Sequence, residues 1–338
     1  MGVTFHFVDV PASHHPETLC RVVAEGLAQP QKRLDCRFFY DTPGSELFER
    51  ICELPEYYVT RTEHAILSRS AAEIAEAAGN DLMLIEFGSG NSCKTRLLIE
   101  TLLQRQPELH YVPIDIAADF LRRCCLDLMA DYPALSVTGI AAEYSDGIAA
   151  LPSWCGPRLI LFLGSNIGNF ERDEAIAFLG RIRARMQPQD RVLIGVDLVK
   201  DRRVLEAAYN DAAGITARFN KNLLVRINRE LGGRFELDEF VHEAPFREHE
   251  SRIEMHLCST RRQRVHIGYL EQDYLFEQGE SIHTENSHKY TVDGFGRLCA
   301  AAGLSIQERW MDEREWFALM LLRPTDHDAD GDEPGERR

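Results

Sequence analysis

The chain has 338 residues, an apolar fraction of 44% and a formal net charge of −16, enough length for one large core or two smaller ones. The acidic balance argues against general nucleic-acid binding, which needs a basic face to displace phosphate counterions. No stretch reaches the ~18 apolar residues of a membrane span, and the start lacks the basic segment and long apolar block of a signal peptide, so a soluble cytoplasmic protein without membrane partners is expected.

In chain order, residues 1–62 show no strand alternation of the kind an α/β core requires. Residues 16–27 and 45–54 are predicted helices, with Pro43-Gly44 as a turn before the second. Aromatic residues are dense here: Phe38, Phe39, Tyr40, Phe48, Tyr57 and Tyr58. Core packing is their ordinary role. Tyr40 and Tyr57, however, flank polar, turn-prone sequence, and a pair of phenols can hydrogen-bond an amine and shelter a cation against their ring faces. His14-His15 sits in a polar stretch and reads as solvated. Residues 63–78 form an Ala/Glu-rich helix leading into the glycine turn.

The most informative segment is Leu82-Met83-Leu84-Ile85-Glu86-Phe87-Gly88-Ser89-Gly90-Asn91-Ser92-Cys93-Lys94-Thr95-Arg96. An apolar run ends in a carboxylate, a turn with two glycines follows, and a polar segment opens a helix. That is the strand–turn–helix layout that holds an adenosine-containing cofactor. Three chemistries compete for it. The dinucleotide fingerprint G-x-G-x-x-G fails at Cys93. The phosphate-binding G-x-x-x-x-G-K-[ST] finds Gly88, Lys94 and Thr95 but also fails at Cys93. The E-x-G-x-G turn of S-adenosylmethionine-dependent methyltransferases fits Glu86, Gly88 and Gly90 throughout.

From residue 82 the pattern alternates. Strands are predicted at 82–87, 111–116, 136–140, 159–163 and 191–198, with helices at 92–105, 117–131 and 172–186. Continuous apolar strands between helices mean an α/β fold with a mostly parallel sheet covered on both faces. After 201 the alternation stops. Residues 202–232 read as helical, and 250–259 and 263–269 as strands of a second, smaller α+β module. A helix at 292–302 and strands at 305–309 and 316–322 return to core patterning and would close the sheet as an antiparallel pair. The Asp/Gly/Pro-rich tail, 325–338, reads as disordered.

Several residues at predicted strand ends carry chemistry. Asp115 ends the second strand, where an acidic side chain can accept from both ribose hydroxyls or cap the following helix. Glu143-Tyr144 follows the third strand. The carboxylate can accept from an adenine amino group and the ring can stack, although a plain polar loop explains the pair nearly as well. Residues 163–169, with Asn166 and Asn169, form a loop at the fourth strand's carboxyl edge, and Asn169 can donate to and accept from an amino acid's polar groups. Residues 284–290 concentrate polar groups, and composition favours a capped, solvated loop. The nine cysteines are scattered without C-x-x-C and read as free thiols in a reducing compartment. The histidines show no metal-ligand spacing, so no metal is expected.

Taken together, the motifs resemble the L-histidine Nα-methyltransferases of ergothioneine biosynthesis. The resemblance rests on Phe38-Phe39-Tyr40-Asp41-Thr42-Pro43-Gly44-Ser45-Glu46-Leu47-Phe48, Leu54-Pro55-Glu56-Tyr57-Tyr58 and residues 86–96, 162–169 and 197–201. It continues through Tyr209-Asn210-Asp211-Ala212-Ala213-Gly214, Phe219-Asn220, Asn228-Arg229-Glu230-Leu231, Arg252-Ile253-Glu254-Met255 and residues 284–290, in family order over roughly 35–323.

The resemblance implies a Rossmann-type class I methyltransferase core (63–199 and 289–324) and a substrate-binding domain (5–62 and 200–288). It implies S-adenosylmethionine as cofactor, held by Gly88, Lys94, Asp115, Glu143 and Tyr144. L-Histidine and its mono- and dimethyl intermediates would be held by Tyr57, Asn169, Tyr209, Met255, Glu285 and Ser287. Tyr40 would lie at the methyl-accepting amine, making Tyr40 and Asn169 the catalytic candidates, in an enzyme that acts as a monomer. The chain departs from the family pattern at Cys93, where an acidic residue is frequent, at Glu143-Tyr144, where Asp-Phe is usual, and at His288. Other readings are methylation of another amine, such as an indole amino acid, and a P-loop phosphotransferase.

Overall fold

The structure is a computed structural model that describes residues 3–10 and 16–325. His14-His15 and residues 326–338 of the tail lie outside the described residues.

In chain order the elements are β1 (Phe5–Asp9), α1 (Pro16–Leu27), α2 (Thr42–Cys52), α3 (Tyr58–Ala78), β2 (Met83–Phe87), α4 (Arg96–Leu103), β3 (Leu109–Asp115), α5 (Ala118–Asp131), β4 (Leu135–Ala141), α6 (Tyr144–Ala149), β5 (Arg158–Phe162), α7 (Arg172–Arg183) and β6 (Arg191–Asp197). There follow α8 (Arg202–Tyr209), α9 (Ile215–Leu231), β7 (Phe240–Glu243), β8 (Phe246–Arg247), β9 (Arg252–Ser259), β10 (Gln263–Ile267), β11 (Gln272–Phe276), β12 (Ser281–His288), α10 (Val292–Ala301), β13 (Leu304–Met311) and β14 (Phe317–Pro324).

An eight-stranded sheet runs β1-β4-β3-β2-β5-β6-β14-β13. The strands from β1 to β6 pair in parallel, and β14 runs antiparallel to both β6 and β13. The order reverses at β2, whose neighbours are β3 and β5, so its carboxyl end opens the crevice where doubly wound sheets bind ligands. This is a doubly wound, Rossmann-type α/β core closed at one edge by an antiparallel pair. Strand alternation divides the apolar residues between two faces. Leu84, Tyr111, Leu161 and Leu193 pack on the α3–α4 side, with Ile66, Ile74 and Leu98. Ile85, Val112, Ile160 and Ile194 pack on the other side, with Phe178, Leu179 and Phe295.

The second module is an antiparallel sheet β12-β9-β7, with β8 also on β9, a β10–β11 hairpin and the helices α8 and α9. α9 packs against α2, and the N-terminal segment joins this module through Arg33, which bridges to His283 of β12.

Four expectations need correction. The N-terminal segment does contain a core strand: Phe5–Asp9 pairs in parallel with Val137–Ala141 at the sheet's edge. None of its residues is fully buried, with Phe5 and Phe7 half-buried and His6, Val8 and Asp9 exposed, because an edge strand has one partner, so it lacks the continuous apolar run of the central strands. Pro43-Gly44 lies inside the first turn of α2, capped by Asp41, which accepts the Gly44 N–H at 2.9 Å. Proline fits a first helical turn because its missing N–H would lack an intrahelical partner there. The 92–105 helix begins only at Arg96. Residues 284–288 belong to a mostly buried strand rather than a solvated loop. Several of their polar groups find partners across the sheet and from α9, as when Thr284 donates to Asn220 Oδ1 at 2.7 Å.

All nine cysteines are free thiols. Among the described residues no helix is long and apolar enough to cross a membrane, and no cluster could hold a metal ion.

Candidate active site

Two left-handed glycines shape the turn after β2: Gly88 at φ +67° and Gly90 at φ +50°. Gly88 donates its N–H to the Ile114 carbonyl at 2.8 Å, and Gly90 donates to Asp115 Oδ2 at 2.9 Å. The other Asp115 oxygen accepts the Ala117 N–H at 3.0 Å, so one carboxylate clamps the turn and starts α5. A carboxylate has about four acceptor sites, more than these two bonds use by themselves. A Cβ at Gly88 would sit 2.9 Å from Asn166 Nδ2 and 3.0 Å from the Tyr144 hydroxyl, whereas one at Gly90 would meet nothing within 4 Å. The turn is therefore closed behind Gly88 and open at Gly90.

Glu86 is buried beneath this turn. Thr95 donates to its Oε1 at 2.7 Å and Tyr111 donates to its Oε2. Burial pushes the carboxyl up to about 7, against those two bonds. It braces the turn from below. Lys94 is paired with the buried Glu63, whose oxygens also accept the Gly164 N–H at 2.9 and 3.0 Å. A phosphotransferase would need this ammonium for phosphate, but here its charge is matched by a carboxylate. Glu143 pairs with Arg37 at 2.7 Å, and the Tyr144 ring stands edge-on to Phe87, Phe162 and Phe170. Cys93 is exposed on the cleft wall, and His288 packs 3.5 Å from Glu171.

The turn lines a cleft of ≈ 1010 Å³ that also reaches Tyr40, Tyr57, Asn169 and Glu285. A smaller annex continues from it. Tyr40, Tyr57, Asn169, Tyr209, Met255, Glu285 and Ser287 all line the annex, so residues spread over about three quarters of the sequence meet at one point. Glu285 and Ser287 lie two positions apart on β12 and share a face; Met255 of β9 is the register partner of Glu285. A register irregularity between His283 and Glu285 re-aims the strand there.

Burial pushes the Glu285 carboxyl up to about 7, with Lys289 opposing. Burial also holds the phenols of Tyr40 and Tyr57 well above the usual range, so both stay neutral. Tyr40 is edge-on to Phe48 and Phe219, each 5.7 Å between centroids. Asn169 closes the short helical turn Asn166–Asn169, which follows Ser165 in the left-handed region at φ +59°, a strained conformation of a kind that concentrates at functional sites.

Behind the annex lies a buried ionic network that the sequence did not reveal. Asp197, at the end of β6, meets Lys289 at 2.8 Å and Lys200 at 2.5 Å and accepts the Tyr58 hydroxyl at 2.8 and 2.9 Å. Burial works to raise its carboxyl, but the two ammonium groups hold it below the usual range. Lys200 is lowered by burial to about 8, against the pull of Asp197. Thr216 also lines the annex, and its Oγ1 is buried without a hydrogen-bond partner among the described residues. The one hint of the network in the sequence was a charged run, Asp197 to Asp201, directly after an apolar strand.

Residues 19–324 match the family profile described as "Histidine-specific methyltransferase, SAM-dependent". The chain is 40% identical over 305 residues to the histidine N-alpha-methyltransferase of Mycolicibacterium smegmatis, covering 90% of this chain and 94% of that protein. It is 41% identical over 303 residues to the protein of the same name from Mycobacterium tuberculosis, with the same coverage. It is 32% identical to ergothioneine biosynthesis protein 1 of Neurospora crassa, covering 86% of this chain and 33% of that longer protein. With the glycine turn, the acidic clamp and the profile match in agreement, the chain belongs to the histidine-specific, S-adenosylmethionine-dependent methyltransferases.

Proposed function

We propose that this enzyme methylates the α-amine of L-histidine three times, giving hercynine on the route to ergothioneine. The observation that carries this reading is the annex face of β12. The Glu285 carboxyl lines the annex with no hydrogen bond from a described residue, two positions from the Ser287 hydroxyl and opposite Met255. A ring that offers one N–H and one acceptor nitrogen satisfies both groups, and an indole offers no acceptor. We assign the cofactor to residues 63–199 and 289–324, joined by β1, and the amino acid mainly to residues 200–288 and the segment before 63.

The residues present fit S-adenosylmethionine. The turn at Gly90 is open where a Cβ would stand, and the Asp115 carboxylate stands beside it. Glu143 and Tyr144 line the same cleft for the adenine, and Lys94 keeps N–H donors beyond its bond to Glu63. When bound, the cofactor supplies a methyl group on a cationic sulfonium, an electrophile for a neutral amine.

The rest is assigned to this chain's own side chains. Asn169 and Tyr209 orient the α-amine and α-carboxylate, while Glu285 and Ser287 fix the imidazole. Tyr40 and Tyr57 are neutral phenols that keep their own protons, so they accept hydrogen bonds and position the amine without acting as strong bases. The amine loses its proton to water, a loss that enclosure favours by disfavouring the charged form. Much of the rate enhancement is then positional. The faces of Tyr40 and Phe48 shelter the fixed positive charge of the product.

Mass spectrometry of the purified protein with S-adenosylmethionine and either L-histidine or L-tryptophan tests this. Histidine gaining three methyl groups is expected; methylation of tryptophan alone would overturn the substrate assignment.

A further inference from the structure

We infer that Lys289 is a positioning residue for substrate selection: it fills a Ser287 lone pair behind the annex, so that the Ser287 hydroxyl, bonded also by Tyr209, can offer a ligand one O–H donor and no acceptor. The inference rests on the histidine reading above.

Lys289 is 3% exposed. An ammonium has three N–H bonds. Those of Lys289 reach Asp197 Oδ2 at 2.8 Å, Ser287 Oγ at 2.8 Å and the Tyr209 hydroxyl at 3.1 Å. The two hydroxyls also bond to each other at 2.7 Å. Between them they have two hydrogens, and one is consumed in their mutual bond. Neither hydrogen can point at Lys289, which only donates. One hydrogen remains, and the open side of both residues is the annex. With the more acidic phenol donating to Ser287, both serine lone pairs are filled, by Lys289 and Tyr209, and the serine hydrogen is directed at the ligand.

Glu285, on the same face, accepts when ionised. The annex thus asks its ligand for one acceptor and one donor, as a neutral imidazole provides. A ring bearing only N–H leaves the serine hydrogen unpaired in a buried site, which is costly. Without Lys289 the hydroxyls regain a free lone pair and can turn to accept, so a donor-only ring should be tolerated.

The test compares kcat/KM for L-histidine with that for pyrrol-2-yl- and pyrrol-3-ylalanine, which keep the ring N–H at either position and replace the acceptor nitrogen with C–H. The wild-type enzyme should prefer histidine by roughly 10³-fold or more. In Lys289→Met that ratio should fall by about 10-fold or more, with the loss falling on the KM for histidine. Affinity for S-adenosylhomocysteine should stay within about twofold, since the lysine lies outside the cofactor turn. Asp197 keeps Lys200 and Tyr58 as partners in this variant. Tyr209→Phe is a second variant in case Lys289→Met fails to fold. It frees one Ser287 lone pair, so the ratio should narrow there too, and any lost contact from the α-amine to the Tyr209 oxygen cancels between the substrates. A ratio unchanged in a folded Lys289→Met enzyme, or in Tyr209→Phe if only that folds, overturns the inference. A wild-type chain that methylates histidine no better than the pyrrolyl analogues removes the imidazole reading itself.

Discussion

On the cofactor side of the cleft, the defining contacts come from the main chain of one short turn and a single carboxylate at the end of the next strand. On the side assigned to the substrate, the polar groups are side chains drawn from α2's flanks, the Asn166–Asn169 turn, α8, α9 and β12, backed by an ion network that joins the core to the second module. The first construction tolerates side-chain change as long as the backbone can take left-handed φ. The second depends on every hydrogen bond having a matched donor and acceptor. Cofactor binding and amino-acid selection should therefore be separable by mutation.

The largest effect is expected at Glu285. Glu285→Ala should lower kcat/KM for histidine by roughly 100-fold or more, the scale of a lost buried bond to a charged group plus the partner left unpaired. Affinity for S-adenosylhomocysteine should hold, and calorimetry checks it; equal loss of both would mean the two sides are one structural unit. Asp115→Ala is the converse. Losing the ribose acceptor and the clamp on Gly90 should weaken S-adenosylhomocysteine by about 10- to 100-fold, from bonds of ~1–3 kcal/mol. Unaltered calorimetric affinity would reject the ribose assignment.

The glycine pair sharpens the comparison within one turn. Gly88→Ala should chiefly lower the melting temperature, because its Cβ meets Asn166 and Tyr144. Gly90→Ala should lose about 1 kcal/mol of stability for the left-handed conformation and show its main defect in cofactor affinity. A reversed pattern would mean that the open side has been assigned to the wrong glycine.

The smallest effect is on stability. Burial raises the Glu285 carboxyl to about 7 from its ordinary 4.5. The folded state thus holds a proton that the unfolded chain gives up, and stability is fully present below about 4.5 and lost as pH rises through about 7. Glu285→Gln should therefore melt higher than wild type at pH 8, by roughly 2 °C per kcal/mol released, with the difference vanishing near pH 4. A difference that grows on acidification would contradict the raised carboxyl.

The core was legible in the sequence because each of its strands, β2 to β6, is a short apolar run between helices, and a strand covered on both faces has no alternative composition. The glycine turn was legible for a related reason: a backbone-built site needs particular φ values, and glycine supplies them. Asp115 followed from its place at a strand end. β12 was misjudged as a loop because its polar residues are satisfied only by groups remote in the chain, such as Asn220 and Met255 for Thr284. Tyr40, Tyr57 and Asn169 stood out by their local setting, but Tyr209, Met255, Glu285 and Ser287 entered through the resemblance, since nothing local marks them as neighbours of the others.

What the sequence determined by itself, then, was the mostly parallel sheet and the glycine turn after its first core strand, both of which follow from hydrophobic periodicity and local backbone geometry. Only the tertiary structure decided that β1 completes the sheet, that Lys94 is matched by Glu63, and that Lys289 and Asp197 stand behind Ser287 and Tyr209. Those choices are pairings between groups tens to hundreds of residues apart. Burial makes such pairings obligatory, but no local pattern states which partners will meet.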